Sequence, residues 1–211
     1  MYSTFQLRVE HLLCVQQERP LFEPLNFALN NQQILLLHGP NGVGKTTCLR
    51  TLAGLLPPAR GSVQWNKQSI ANYNNVYLNN MAYLGHHSGI KLALTPTENL
   101  RTYLSLINRE EQAALIPQVL EQVNLAAQSD IMCGQLSAGQ QRRVSLARLF
   151  LVNKPLWILD EPLTALDVQG VGLLQTLITQ HINEGGAVIV TSHQYFADAT
   201  QTIELEPWTE C

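Results

Sequence analysis

The sequence predicts an α/β fold with a mostly parallel core sheet. Three short apolar runs, at residues 34–37, 156–159 and 187–190, are continuous rather than alternating, as is typical of strands buried on both faces of a parallel sheet. Each run is followed at once by polar or glycine-rich residues, in the segments HGPNGVGKTT, DEPLTALD and TSHQ. Because ligands bind beyond the carboxyl ends of parallel strands, we expect these three polar segments to meet at one edge of one sheet.

A second, smaller β region is predicted near the start of the chain. The first thirty residues and residues 61–83 are rich in β-forming residues, with GSVQW (61–65) and VYL (76–78) as candidate strands. We therefore expect a small antiparallel β subdomain beside the mixed or parallel core sheet.

More than a hundred residues separate the first two apolar runs, which is too many for a simple crossover connection. Residues 95–124 are predicted to be helical, with Thr97 as the capping residue. Pro117 places the start of the next helix close to itself. The sequence thus predicts a single domain spanning residues 1–211, with a helical insert at about residues 88–135.

Composition narrows the function classes. The 211 residues carry a formal net charge of −3, which offers no basic field for nucleic acid or anionic lipid. No segment approaches the about 18 to 20 uninterrupted apolar residues that cross a bilayer, and the N-terminus lacks the pattern of a signal peptide. We therefore expect a cytoplasmic chain without a membrane span. Reduced thiols are also expected, since no C-x-x-C pair occurs among Cys14, Cys48, Cys133 and Cys211.

A phosphate-binding loop is predicted directly after the first apolar run. The segment GPNGVGKT (39–46) matches the pattern G-x-x-x-x-G-K-[ST], in which glycines let backbone amides approach phosphate oxygens. Lys45 is expected to contact the β- and γ-phosphates and Thr46 to offer its hydroxyl to magnesium, at the positive end of a helix that Gly54 closes. The alternative is a glycine-rich turn without a ligand, which the preceding strand disfavours. The residues predicted to bind nucleotide here are Gly39, Pro40, Asn41, Gly42, Val43, Gly44, Lys45, Thr46 and Thr47.

Two adjacent carboxylates, Asp160 and Glu161, follow the second apolar run. Beside a phosphate loop, Asp160 is predicted to hold magnesium through water, and Glu161 to orient or deprotonate the attacking water. The alternative is a helix N-cap followed by a surface acid. His193 follows the third run and is predicted to contact the γ-phosphate, although a lone histidine is more often structural.

The segment LSAGQ (136–140) precedes a long predicted helix. Ser137 fits equally well as a helix N-cap or, together with Gly139, as part of an anion site at the start of that helix.

Together these segments resemble the nucleotide-binding domains of ABC transporters over nearly the whole chain. GPNGVGKT is similar to the Walker A loop, LSAGQ to the family signature, LWILDE to Walker B, TALD to the D-loop and TSH to the switch-histidine loop. The resemblance implies a P-loop ATPase that binds ATP and magnesium as a head-to-tail homodimer. ATP would lie between the Walker residues of one subunit and the signature residues Ser137, Gly139 and Gln140 of the other, with Asp167 at the seam.

A closer resemblance is to the ATP-binding subunits of bacterial cytochrome c maturation complexes. The segments GHHSGIKLALT, WILDEPLTALDVQGV and GGAVIVTSHQ carry it. This resemblance implies integral membrane partner subunits at the cytoplasmic face of the bacterial inner membrane. It also implies that ATP hydrolysis serves haem export, or the release of a haem-loaded periplasmic chaperone.

The sequence departs from the family pattern at two places. ABC domains usually carry a glutamine that touches magnesium, and the matching position here is His87, unless His86 and His87 are only loop residues. An imidazole cannot reproduce the geometry of an amide. We therefore expect that the site still signals the presence of the γ-phosphate to the membrane subunit, but with an altered magnesium dependence. Residues 14–20 contain none of the aromatic rings that usually stack on adenine, which predicts modest ATP affinity and weak base selectivity.

Three alternatives stay open at the level of sequence. The first is an ABC subunit for another substrate, because membrane partners choose the cargo. The second is a soluble ABC protein without a transport role, although fused domains, basic surfaces and long coiled-coil inserts are not visible. The third is a P-loop kinase or GTPase, in which LSAGQ would be unexpected.

Overall fold

The computed structural model describes residues 1–71, 74–192 and 198–209. The chain divides into two units. The first comprises Met1–His86, Lys154–Pro162 and Ile178–Cys211, and the second comprises His87–Asn153 and Leu163–Leu177.

The first unit holds the described strands, which form a parallel sheet, an antiparallel sheet and a short hairpin. The parallel sheet has the order β11-β5-β10-β9-β8, the antiparallel sheet has the order β4-β1-β6-β7, and β2 pairs with β3. This arrangement confirms the predicted combination of a parallel core with a smaller antiparallel region. In chain order the strands are β1 (Gln6–Leu13), β2 (Val15–Gln16), β3 (Arg19–Pro20), β4 (Leu25–Asn30), β5 (Ile34–His38), β6 (Arg60–Trp65), β7 (Gln68–Ser69), β8 (Met81–Leu84), β9 (Leu156–Leu159), β10 (Ala187–Thr191) and β11 (Gln201–Glu204).

The three continuous apolar runs are neighbouring parallel strands, as predicted. Strand β10 lies between β5 and β9, and Val190 is the register partner of both Leu36 and Leu159. All residues of β9 and β10 are buried, which explains why neither run alternates with polar residues. The carboxyl ends of the three strands therefore share one edge of the sheet.

Helices build most of the second unit. Helices α3, α4 and α5 pack together around an apolar cluster that includes Leu100, Leu104, Ile116, Leu120 and Val144. Residues 88–135, the range of the predicted helical insert, contain α3, α4 and three short 3-10 helices. Among the described residues the α-helices are α1 (Lys45–Leu52), α2 (Asn74–Asn80), α3 (Pro96–Leu106), α4 (Ile116–Gln122), α5 (Ala138–Phe150) and α6 (Val168–Asn183).

One predicted strand is wrong. GSVQW lies in β6, but VYL lies in helix α2. Tyr77 decides the conformation, because its buried ring packs against Trp65 at a centroid distance of 5.5 Å and its hydroxyl donates to the Leu52 carbonyl at 2.8 Å. These tertiary contacts outweigh the β propensity of a three-residue run.

The predicted cap of the first helix of the insert is also wrong by two residues. Thr95, not Thr97, caps α3, because Glu98 lies three residues after Thr95 and completes a capping box with it. Pro96 then occupies the first turn, where its missing amide hydrogen costs no hydrogen bond. Pro117 lies in the first turn of α4, as predicted.

No helix among the described residues is both long and apolar enough to cross a membrane. Cys14, Cys48 and Cys133 are buried free thiols, and Cys211 lies outside the described residues.

Candidate nucleotide-binding site

Four parallel strands of the first unit, β5, β10, β9 and β8, end at the same edge of the sheet. Gly39 follows β5, Ser192 follows β10 and Asp160 follows β9. The backbone amide of Asp160 donates to the Leu84 carbonyl at 2.8 Å, which joins the ends of β9 and β8. The predicted phosphate loop and the two predicted carboxylates therefore meet where parallel sheets bind their ligands.

The loop of residues 39–46 has the backbone that a phosphate cradle requires. Gly39 and Gly44 have φ angles of 147° and 107°, which L-residues with side chains rarely adopt. A Cβ atom at Gly39 would lie 2.9 Å from the Leu205 carbonyl oxygen, and one at Gly44 would lie 2.8 Å from Leu21 Cδ1. Gly44 is also the N-cap of α1 and supplies no side-chain cap, so the first-turn amides face the loop without a capping side chain.

Lys45 reaches back into this loop. Its side chain is buried, and Nζ donates to the carbonyl oxygens of Gly39 at 2.8 Å and Pro40 at 3.1 Å. Burying an ammonium group is costly unless hydrogen-bond acceptors surround it, and here the loop carbonyls supply them. A positive charge thus lies where the phosphate oxygens are predicted.

The two acidic residues after β9 lie in the irregular segment that leads to α6. Asp160 is 1% exposed, and Glu161 adopts a left-handed φ of 46°, which is rare for a residue with a side chain. The N-cap alternative is wrong, because the next helix does not begin until Val168. Non-glycine residues in this conformation cluster at functional sites, and Glu161 fits that pattern.

Thr191, the last residue of β10, binds both acidic residues. Its hydroxyl donates to Asp160 Oδ1 at 3.0 Å and accepts a hydrogen bond from the Glu161 amide at 2.9 Å. Sequence reasoning missed this residue, because a threonine at the end of a β-branched run resembles any other strand residue. The only available signal was its position beside the carboxylates on the predicted sheet edge.

His86 is a second residue that sequence reasoning assigned no role. Its Nδ1 lies 3.5 Å from Glu161 Oε2, and the two side chains are 49% and 21% exposed. The predicted metal contact, His87, is an exposed residue in the loop that follows β8, and its role stays a prediction.

The donor set suits magnesium. The Thr46 hydroxyl and the Asp160 carboxylate are oxygen donors, which this hard cation prefers. Among the described residues, no group of three or more His, Cys, Asp or Glu side chains could hold a metal ion. In nucleotide sites, magnesium is usually bound by one or two protein ligands together with phosphate oxygens and water.

The signature segment lies in the second unit, at the start of α5. Ser137 Oγ accepts from the Gln140 amide at 3.2 Å, and Gln140 Oε1 accepts from the Ser137 amide at 2.9 Å. This capping box shows that Ser137 is an N-cap. Because Ser137 is also exposed at a helix N-terminus, the anion-site hypothesis stays compatible with its position.

The D-loop packs on this signature segment within the second unit. A Cβ atom at Gly139 would lie 3.1 Å from the Ala165 carbonyl oxygen, so glycine permits the close approach. Arg143 Nη2 lies 3.7 Å from Asp167 Oδ2, and Asp167 Oδ1 accepts from the Gly170 amide at 2.8 Å. Gly139 and Asp167 thus belong to one local arrangement.

Two further sequence predictions concern His193 and the base of the nucleotide. His193 lies outside the described residues. The hairpin of β2 and β3, where an adenine-stacking ring is usual, carries no aromatic residue, and the nearby Phe22 is fully buried.

The chain is similar to known proteins over most of its length. The ABC transporter family profile matches residues 22–164. Among curated relatives named cytochrome c biogenesis ATP-binding export protein CcmA, that of Aliivibrio fischeri is 45% identical over 92% of this chain and 96% of the relative. The Histophilus somni relative is 46% identical, covering 96% and 94%, and the Vibrio cholerae relative is 47% identical, covering 91% and 93%.

Two solved structures share the fold. One is described as the ATP binding subunit of an ABC transporter, with a TM-score of 0.84 and 24% identity over 94% of this chain and 85% of that chain. The other is an ABC transporter ATP-binding protein from Pyrococcus furiosus, with a TM-score of 0.80 and 26% identity over 95% and 97%.

Proposed function

The chain belongs to the ABC transporter family, among the cytochrome c biogenesis ATP-binding export proteins, and we propose that it hydrolyses ATP to drive a bacterial cytochrome c maturation complex. One observation carries the enzymatic part. The phosphate loop, with Lys45 Nζ 2.8 Å from the Gly39 carbonyl, shares a sheet edge with Asp160 and Glu161.

Binding of ATP uses the loop and the start of α1. The backbone amides of residues 39–46 contact the phosphate oxygens, and Lys45 exchanges its carbonyl partners for the β- and γ-phosphates. Thr46 and Asp160 would hold magnesium, Asp160 through water, and His87 would stand near the same cation. Magnesium, when bound, neutralises negative charge that develops on the phosphate oxygens.

Hydrolysis uses the acid that follows Asp160. Glu161 accepts a proton from a water molecule as the water oxygen bonds to the γ-phosphorus. The bond from that phosphorus to the β–γ bridging oxygen breaks, and ADP leaves with the electron pair. The Glu161 side chain is 21% exposed, so water can reach it. His193 would donate a hydrogen bond to the γ-phosphate.

A second copy of the chain completes the site in this proposal. The partner subunit's Ser137 and Gly139, with Gln140 beside them, would present the start of α5 to the γ-phosphate across a head-to-tail interface. Exposure of Ser137 at a helix N-terminus supports this role, because such a position favours anions. Asp167 would lie at the seam between the subunits.

The cellular role rests on the relatives, which are named for cytochrome c biogenesis and export. We infer that this chain works at the cytoplasmic face of the inner membrane with integral membrane subunits. ATP hydrolysis would drive haem export, or release of a haem-loaded periplasmic chaperone.

A complementation experiment tests the cellular role. Cells that lack this chain should make no c-type cytochromes by haem staining, and wild-type protein or Glu121→Gln should restore them. Glu121 is an exposed acid on α4 and serves as the matched control for Glu161→Gln, which should fail to restore them. Normal cytochrome content without the chain would contradict the role in cytochrome c maturation, whereas a transport role with other cargo would survive that result.

A further inference from the structure

The hydroxyl of Thr191 hydrogen-bonds to both acidic residues that follow β9. Thr191 is fully buried at the end of β10, directly beside β9 in the sheet. The direction of each hydrogen bond follows from the donors present. Because the Glu161 amide can only donate, the hydroxyl oxygen accepts from it at 2.9 Å. The single hydroxyl proton is then directed to Asp160 Oδ1 at 3.0 Å.

This arrangement fixes the peptide that joins the two acids. Glu161 has a φ of 46°, a conformation that the surrounding structure must stabilise in a residue with a side chain. The hydrogen bond from its amide to Thr191 holds that peptide at the sheet edge. The same φ sets the direction in which the Glu161 side chain leaves the main chain. The Glu161 carboxylate oxygen Oε2 lies 3.5 Å from His86 Nδ1.

A hydroxyl is unexpected on packing grounds. The preceding residues of β10 are apolar and buried, so valine would fill this position with the same shape. A buried polar group is disfavoured unless it is hydrogen-bonded, and Thr191 satisfies that condition through the two acids. The choice of threonine is therefore explained by what its oxygen does rather than by the volume it fills.

We propose that Thr191 is a positioning residue for ATP hydrolysis. It orients the Asp160 carboxylate toward magnesium and holds the Glu161 backbone so that its carboxylate faces the attacking water. This inference rests on the proposed ATPase function. Thr191 acts through the two acids and does not contact the nucleotide. It therefore affects the chemical step and the contribution of magnesium to ATP affinity. It does not affect the binding of the phosphates by Lys45 and its loop.

Three variants isolate the hydroxyl. Thr191→Val keeps the shape and removes both hydrogen bonds, whereas Thr191→Ser keeps the hydroxyl. Thr51→Val is the matched control, because Thr51 is a buried threonine of the same unit whose hydroxyl bonds the Thr47 carbonyl and Cys14. If Thr191→Val is too unstable to assay, Thr191→Ala, which also removes the hydroxyl, is measured in its place.

The first measurement is steady-state ATP hydrolysis with wild-type protein and each variant. Thr191→Val should lower kcat by about 10- to 100-fold, within the range of a displaced general base, with a smaller rise in KM that reflects the weakened magnesium contribution. Thr191→Ser should retain at least about half of the wild-type kcat, as should Thr51→Val. A wild-type kcat in Thr191→Val, or equal losses in the Val and Ser variants, would overturn the role of the hydroxyl.

The second measurement does not depend on turnover. Calorimetric titration with ATP, with and without magnesium, should give the same magnesium-free affinity for wild-type protein and Thr191→Val. The increase in affinity on adding magnesium should be at least about threefold smaller in the variant, and an unchanged increase would overturn the proposed orientation of Asp160. Failure of the wild-type protein to hydrolyse ATP would instead reject the proposed ATPase function. Failure of the Thr191 proposal can therefore be distinguished from failure of the proposed function.

Discussion

The ammonium group of Lys45 lies 2.8 Å from the carbonyl oxygen of Gly39, the residue that opens its own loop. A second bond, to the Pro40 carbonyl at 3.1 Å, holds the same group on the inner side of the loop. The side chain is buried, so little conformational freedom is left for ATP binding to remove. The charge is thus pre-positioned for the phosphates.

Replacing this charge should weaken nucleotide binding itself. Charged hydrogen bonds contribute about 1.5–3 kcal/mol, so Lys45→Ala should raise the Kd for ATP by roughly 10- to 150-fold. Isothermal titration with ATP measures the change. Lys67→Ala, at an exposed turn lysine, is the control and should bind like wild type. Unchanged affinity in Lys45→Ala would remove this lysine from the site.

Base selectivity should be weak, because the β2–β3 hairpin offers no aromatic ring for stacking on adenine. Stacking contributes on the order of 1 kcal/mol, or about fivefold in affinity. We therefore expect Kd values for ATP and GTP that differ by less than about fivefold in competition titrations. Strong rejection of GTP would show that another group recognises the base.

His181 should make the fold sensitive to acid. Its ring stacks on Trp157 at a centroid distance of 3.8 Å, Tyr2 meets it edge-on, and Nε2 lies 3.1 Å from the Pro155 carbonyl. Burial lowers the pKa of His181 to about 4, and the hydrogen bonds to backbone and the nearby Glu184 oppose this only in part. The folded protein therefore keeps the imidazole neutral where the unfolded chain protonates it.

The neutral His181 therefore lowers the stability of the fold in acid. Its contribution to the free energy of unfolding is fully present above the unfolded pKa of about 6.5 and is lost as the pH falls toward 4, because only the unfolded chain takes up the proton. The free energy of unfolding should fall by up to about 3 kcal/mol over that window. Urea unfolding of wild type and His181→Phe at several pH values measures this decrease in the free energy of unfolding. The variant should lack the share of the decrease that comes from His181. An equal pH slope in both proteins would contradict the assignment.

Ser137 allows a test that separates its two roles. Ser137→Ala removes the cap of α5 and should lower the free energy of unfolding by about 1 kcal/mol. Ser137→Arg also places a bulky side chain at the proposed dimer interface, so ATPase activity should be lost while ATP binding by the monomer persists. Activity in Ser137→Arg near the wild-type level would contradict a partner-completed site.

The parts of the fold that the sequence predicted well are those that one strong physical signal determines. The strands β5, β9 and β10 were predictable because burial on both faces leaves an unbroken apolar run. The phosphate loop was predictable because a bound phosphate requires glycines for the close approach of backbone amides and a positive charge such as that of Lys45.

Other features depend on contacts between residues that are distant in sequence. Tyr77 lies in a helix because of contacts with Trp65 and Leu52, which are distant in sequence. Thr191 and His86 reach Glu161 only after three strands have aligned at one edge. No local pattern encodes such contacts, so they required the three-dimensional structure.

The molar mass of Glu161→Gln in solution, measured by light scattering with and without magnesium and ATP, tests the central claim most directly. Loss of the base should reduce turnover at least about 100-fold while leaving the phosphate grip intact. ATP should therefore shift the variant from one chain of 23.5 kDa to twice that mass, with one ATP bound per chain. A variant that stays at the mass of one chain while saturated with ATP would contradict the nucleotide sandwich.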